Sequence, residues 1–332
     1  MINQRLFDWY GIDTGKHLDI KKYCPRPYDT VLIDKQGSCY LCECTAWLPQ
    51  SAGNLHVRSL ADIVNSDTAK TIKNTIKNNS YRLCNNQQCS YLKAPKGNTL
   101  FSTTLPQSKI KHIRLAIDDS CNLSCPSCRK HMIFDKDKSS LTKKFHLADR
   151  ILQFVRTQSH QINLHVGSDG DPFASIVYRY FIKKAKDLPN VKFTIQTNGL
   201  LIKKMYHRHQ QMFDKLDILN ISIDGATKNT YEKLRRGGKF FKIVENLNFV
   251  KRINKKFKVH LHMVVQQENW QEMPAMLKIA RQINADTLFF NRIQNWNTDV
   301  NFDKQTFTSD KNFKNLLEQM KQDDLTIVAG LF

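Results

Sequence analysis

No cysteine follows Cys128, although the chain holds nine. No run of 18 apolar residues occurs either, which leaves no candidate for a membrane-spanning helix. Residues 1–15 lack the apolar core of a secretory signal, so the expected location is cytoplasmic. Acidic residues are scarce: 30 Asp and Glu stand against 51 Lys and Arg, a net charge of +21. Such a field attracts nucleic acid, acidic peptides or phosphorylated substrates. The lysines are dispersed, however, as in Lys203-Lys204 and Lys255-Lys256, and no basic block is interleaved with aromatics. Solvated faces account for most of that charge, and a nucleic-acid partner is not the favoured reading.

What cysteine there is falls into two groups. Cys121, Cys125 and Cys128 share one short loop at C-x3-C-x2-C spacing, after an alternating run of Ile113, Leu115 and Ile117 that predicts a strand. Six more lie between Cys24 and Cys89. In a reducing compartment such clustering favours metal ligation over disulfides. Three thiolates hold three irons of a cubane and leave the fourth iron open, since full thiolate ligation needs four. A zinc site is the competing reading of both groups.

The N-terminal group is carried by a predicted hairpin. Thr30–Asp34 forms its first strand, Lys35-Gln36-Gly37 its turn, and a second strand bears Cys39, Cys42 and Cys44. Ser59 is the expected N-cap of a helix, with Asp62 three residues on. Downstream of the cysteine loop, strand-like runs at 162–166, 191–195, 218–221, 259–263 and 287–290 alternate with helical runs at 147–155, 173–186, 240–253 and 274–283. This alternation predicts an α/β fold with a parallel sheet, whose chemistry sits at the C-terminal strand ends. Polar motifs occur there: Gly170-Asp171-Pro172, Thr197-Asn198-Gly199, Ser222-Ile223-Asp224-Gly225, and Asn291 with Gln294-Asn295-Trp296. Asp171 reads as the cap of the following helix, with Pro172 at its first position.

The cysteine loop with these motifs resembles the radical S-adenosylmethionine (SAM) enzymes. The stretch Cys24, Gly37, Cys42, a "GN…SL.dI" segment and the closing pair Cys84 and Cys89 resembles the auxiliary-cluster domains called SPASM and twitch. The resemblance implies a partial (β/α)6 radical SAM barrel with a small N-terminal Cys-rich β-hairpin/helix domain. It divides the chain into an N-terminal segment (1–20), an auxiliary domain (21–92), a linker (93–108), the core (109–300) and a C-terminal extension (301–332). The auxiliary domain precedes the core, where the family usually places it afterwards. Its second Cys group is missing, so one auxiliary cluster is expected.

By the same resemblance, Cys121, Cys125 and Cys128 ligate a [4Fe-4S] cluster whose free iron binds SAM. Gly170, Asp171 and Pro172 hold the SAM amino group, while Thr197 and Asn198 line the pocket. Ser222 and Asp224 border the ribose and the substrate, Arg235 pairs with the SAM carboxylate, and Val264 packs on adenine. Cys24, Cys42, Cys84 and Cys89 ligate a second [4Fe-4S] cluster; strand alternation, which puts Cys44 on the face of Cys42 and Cys39 on the other, favours Cys44 over Cys39 as a substitute ligand. Ser127 stands where many members carry an aromatic before the third cysteine. The implied chemistry is reductive cleavage of SAM to a 5′-deoxyadenosyl radical, hydrogen abstraction from a peptide, protein or small-molecule substrate, and electron loss to the auxiliary cluster. A reducing partner such as flavodoxin or ferredoxin is implied too. The alternatives are a zinc-stabilised nucleic-acid-binding protein, or a radical SAM enzyme acting on RNA or an aminosugar.

Overall fold

Strand and helix alternate along the chain as the periodicity predicts. The computed structural model describes residues 23–93, 101–253, 256–293, 311–320 and 326–330. They fall into two compact units. The first comprises Met1–Asp118, Lys138–Ser168 and Leu188–Lys192; the second comprises Asp119–Asp137, Asp169–Asp187 and Phe193–Phe332. Gln294, Asn295 and Trp296 lie outside the described residues.

In the first unit, strands β1 (Thr30–Asp34), β2 (Ser38–Tyr40) and β3 (Ser51–Asn54) form an antiparallel meander. Gly37 makes the first turn at φ 81°, and a Cβ there would meet the His56 ring at 2.8 Å. β1 also pairs in parallel with β4 (His112–Ala116), which pairs in parallel with β5 (Ile162–Val166). The N-terminal hairpin is therefore built onto the strand that leads into the cysteine loop. Ser59 caps the helix Leu60–Val64, its hydroxyl accepting the Asp62 N–H, as expected. Within the segment expected as a linker, Phe101 is buried against Tyr28, Ile76 and Tyr81, and Ser102 bridges to Tyr23.

In the second unit, β6 (Val191–Thr197, from Phe193 onward), β7 (Leu216–Ser222), β8 (Lys258–Val265), β9 (Thr287–Arg292) and β10 (Thr326–Gly330) pair in parallel, in that order. β8 and β9 alternate, whereas β6 and β7 each carry three consecutive buried residues. In β8, Val259, Leu261, Met263 and Val265 are fully buried, while His260, His262 and Val264 face the other way. Helices Phe240–Arg252 and Met273–Gln282 lie between strands, each within a residue of its sequence-predicted span. No described helix is long and apolar enough to cross a membrane.

Two local expectations fail. The second hairpin strand ends at Tyr40, after a register shift between Cys39 and Tyr40, so Cys42 and Cys44 lie beyond it and strand alternation does not orient them. Nor does Asp171 cap the next helix. That helix starts at Ile176 under a Ser175 cap, because Asp171 caps a separate turn before it, accepting from the N–H groups of Phe173 and Ala174.

Candidate metal and cofactor site

The second unit gathers the cysteine loop and the motifs that follow it. Cys121 and Cys125 are buried and Cys128 is exposed. The loop is held by its own backbone: the N–H groups of Cys128 and Arg129 both donate to the Cys125 carbonyl, and Cys121 exchanges a bridge with Ile133. Each thiol faces a nitrogen donor. Asn198 Nδ2 lies 3.8 Å from Cys121 Sγ, an Arg235 terminal nitrogen 3.9 Å from Cys125 Sγ, and two Arg129 nitrogens 3.4 Å from Cys128 Sγ.

Burial pushes the Cys121 thiol up to about 11 and raises Cys125, with the Arg235 charge pulling the latter back. A soft metal or cluster needs these groups as thiolates, so binding releases protons. Two guanidiniums and an amide dipole against the sulfurs lower that cost. This donor set fits an iron–sulfur cluster.

Asp171 connects the motifs. It is fully buried, and its carboxylate accepts four hydrogen bonds. Oδ1 takes the Phe173 and Ala174 N–H groups; Oδ2 takes the Thr197 hydroxyl and the Asn198 N–H, both at 2.8 Å. Asn198 then donates to Asn122 Oδ1 at 2.8 Å, inside the cysteine loop. The Gly-Asp-Pro motif, the Thr-Asn-Gly motif and the loop are thus one hydrogen-bonded unit. Gly170, at φ 70°, sits immediately before it.

Asp224 and Arg235 form an ion pair at 2.8 Å; their side chains are only 2% and 13% exposed. Asp224 also accepts the Val264 N–H at 2.9 Å, and Asn269 ties the Asp224 and Val264 carbonyls. Arg235 is therefore committed to Asp224 and Cys125. Gln196 donates to Ser222 Oγ at 2.7 Å. One strand further on, His262 Nε2 lies 3.0 Å from Asn220 Oδ1, and its ring stacks on Phe289 with centroids 4.6 Å apart.

Sequence reasoning missed Arg129, Arg236, Asn269 and His262. Arg236 bonds Ser124 Oγ and the Lys130 carbonyl, bracing the loop. The position of Arg129 directly after the third cysteine was visible, but nothing in the sequence separates it from a solvated arginine.

In the first unit, Cys24, Cys42, Cys84 and Cys89 line one cavity with Trp47, Tyr81, Tyr91 and Phe101. Burial pushes the Cys24 thiol up to about 12 and holds Cys42 and Cys84 well above the usual thiol range; the neighbouring thiols add to each shift. Four mutually close thiols in an apolar pocket suit a fully thiolate-ligated cluster. Cys39 points elsewhere, donating to the Gly37 carbonyl, and Cys44 does not line the cavity. Among the described residues, no three His, Cys, Asp or Glu side chains converge on a single-ion site.

Residues 117–280 match the radical SAM superfamily, and residues 24–90 match an iron–sulfur cluster-binding domain, SPASM. Among curated proteins, the chain is similar to the GTP 3′,8-cyclase of Alkaliphilus metalliredigens, 29% identical over 147 residues (42% of this chain, 43% of the relative). It is also similar to that of Limosilactobacillus fermentum, 21% identical over 196 residues (56% and 57%). The chain thus spans about half the length of the curated relatives it matches. Among solved structures, Streptococcus suis SuiB bound to its precursor peptide SuiA aligns with a TM-score of 0.47 at 11% identity, covering 80% of this chain and 62% of that one. The chain belongs to the radical SAM superfamily and carries its SPASM-type iron–sulfur domain ahead of the core.

Proposed function

We propose that this chain is a radical SAM oxidoreductase of the maturase type, acting in the cytoplasm on a peptide or protein. One observation carries the reading: three loop thiols, each facing a nitrogen donor, hydrogen-bonded through Asn198 to Asp171. When bound, the cluster and SAM supply a reducing electron and a carbon radical able to take hydrogen from an unactivated C–H bond.

The residues around it hold and shield. Asp171 fixes Asn198, and Asn198 and Arg235 position the two buried sulfurs. Gly170 and Pro172 shape the turn beside Asp171, and Thr197 braces it; together they are placed to hold the SAM amino group. Val264 is the proposed adenine contact. The polar face of Gln196, Asn220, Ser222 and His262, backed by Phe289, is placed to orient the substrate, since a radical that is poorly held attacks indiscriminately. Cys24, Cys42, Cys84 and Cys89 would hold the auxiliary cluster, which would supply an acceptor for the electron left on the substrate once hydrogen is removed. A flavodoxin or ferredoxin would supply the separate electron that cleaves SAM at the loop cluster, and the first oxidising equivalent leaves the substrate with the abstracted hydrogen. Nine free thiols suit a reducing compartment.

The SPASM-type domain supports a peptide or protein substrate, because the resemblance associates such domains with peptide and protein modification. A purine nucleotide is the second reading, favoured by the curated relatives' names. The test is anaerobic: reconstituted protein, dithionite and SAM release 5′-deoxyadenosine, and Cys125→Ala abolishes release. Undiminished release from that variant overturns the reading. Stimulation by GTP, with a cyclised product by mass spectrometry, overturns the peptide assignment in favour of the nucleotide.

A further inference from the structure

The segment that follows the cysteine loop in the second unit carries two exposed large apolar side chains. Met132 is 46% exposed and Phe134 is 47% exposed. Ile133 between them is half-buried, and its carbonyl accepts the Cys121 N–H at 2.7 Å in an isolated bridge. Neighbouring side chains of an extended segment point opposite ways. Anchoring Ile133 therefore turns both Met132 and Phe134 outward. The ledge they form is fixed on either side. The Asp135 N–H donates to Ser120 Oγ at 3.2 Å, and Arg236 Nη2 donates to the Lys130 carbonyl at 2.7 Å. The Met132 methyl lies over Gly237, where a Cβ would collide with it.

These bonds run to the cysteine loop, to the residue before it or to its brace, so a partner seated on the ledge is coupled to the loop. Of the three loop cysteines, Cys128 is the exposed one, and a cluster held there meets the surface on that side. Lys130, Lys136 and Arg236 are exposed around the apolar pair, and Arg129 faces Cys128; Asp135 and Asp137 are the acids among them. An apolar centre within a polar rim marks a protein-binding surface, and a rim richer in cations favours an anionic partner. Electron-transfer encounters bury little area, so two apolar side chains suffice. Ile176 and Phe241, also exposed in this unit, stand singly on helices and need no partner.

We propose that this ledge is the docking surface for the reductant, and that the reductant is an acidic flavodoxin. The inference rests on the reading that the loop cysteines hold a cluster reduced by an outside carrier. A bound flavin can present the edge of an aromatic ring, which suits the ring of Phe134 and the thioether of Met132. One electron leaves the reduced flavin and enters the oxidised cluster; no bond forms or breaks on the ledge. The long-range field of a chain with net charge +21 steers an acidic carrier towards it.

The experiment uses the full-length, reconstituted protein without oxygen, and reads 5′-deoxyadenosine formed from SAM with either dithionite or reduced flavodoxin as the electron source. The Met132→Ser/Phe134→Ser double variant keeps the dithionite-driven rate near wild type and loses about tenfold in rate at limiting flavodoxin. Lys136→Glu slows the flavodoxin-driven rate and flattens its dependence on salt. Binding is read separately: the wild type broadens the NMR signals of isotope-labelled, oxidised flavodoxin at low salt, and the double variant does not. Flavodoxin-driven rate and binding that are unchanged in the double variant overturn the proposal with the cluster reading intact. An equal loss with dithionite shows that the ledge only supports the cysteine loop, and also overturns it. So does a wild type that dithionite drives and flavodoxin does not, whether or not ferredoxin drives it. A wild type that releases no 5′-deoxyadenosine with dithionite overturns the proposed activity, and the docking surface with it.

Discussion

Asp224 and Arg235 are bound to each other 2.8 Å apart in the buried heart of the second unit, and the same guanidinium reaches Cys125 Sγ at 3.9 Å. The pair thus ties the packing of this unit to the cysteine loop. Removing the carboxylate leaves a buried cation without its partner and the Val264 N–H without its acceptor. Asp224→Ala is expected to destabilise the protein by about 3–5 kcal/mol, read as a lower midpoint in urea unfolding. The Asp224→Asn/Arg235→Gln double variant recovers part of that loss. A single variant with wild-type stability shows that the pair carries no structural load.

His262 makes a pH prediction. Burial, followed by the charges of His260 and Arg235, lowers its pKa from 6.5 to about 4. Asn220 Oδ1 only accepts, so the bond between them puts a proton on Nε2, while burial and the neighbouring charges keep the ring neutral. As pH falls, the unfolded chain takes up the proton first. The associated stability is present above about pH 6.5 and is lost as pH falls through about 4, at most about 3 kcal/mol. Other histidines with lowered values, His112 and His260 among them, add to the wild-type slope. His262→Gln should therefore flatten the unfolding-midpoint profile in that window without abolishing it. An unchanged slope shows that the ring is free to protonate in the folded state.

The third prediction separates Cys42 from Cys44. Only Cys42 lines the four-thiol cavity. In the Cys121/Cys125/Cys128 triple-alanine background, about four irons per chain are expected to remain. Adding Cys44→Ser leaves that iron in place, and adding Cys42→Ser removes it. Iron lost with Cys44 and kept without Cys42 reverses the ligand assignment. Zinc bound in place of iron shows that the pocket is not an iron–sulfur site.

The backbone was the legible part. β1 and β5 match their expected spans residue for residue, β5 through period-two alternation and β1 as a short apolar run closed by the Lys35-Gln36-Gly37 turn. Asp171, Thr197 and Asn198 were singled out by position at strand ends. Their mutual bonding was not legible, since it joins residues 26 and 27 positions apart through one carboxylate. Cys42 and Cys44 were placed on a strand because alternation was carried past Tyr40, where the ladder with β3 shifts register. Arg235 was read as a free cation for a ligand, because a sequence cannot show that Asp224, eleven residues away, already holds it. The polar face around His262 was visible as alternation in β8, but its partners lie on β7 and β9.

The pairing of β1 with β4 runs through five consecutive residue partners, Thr30 with His112 to Asp34 with Ala116. That ladder makes the Cys-rich segment a poor candidate for a transferable module. Excising it would strip β4 of a neighbour and leave a bare strand edge just before the cysteine loop, a template for unwanted association between chains. Gene fusions or truncations that treat residues near 108 as a seam should yield insoluble cores.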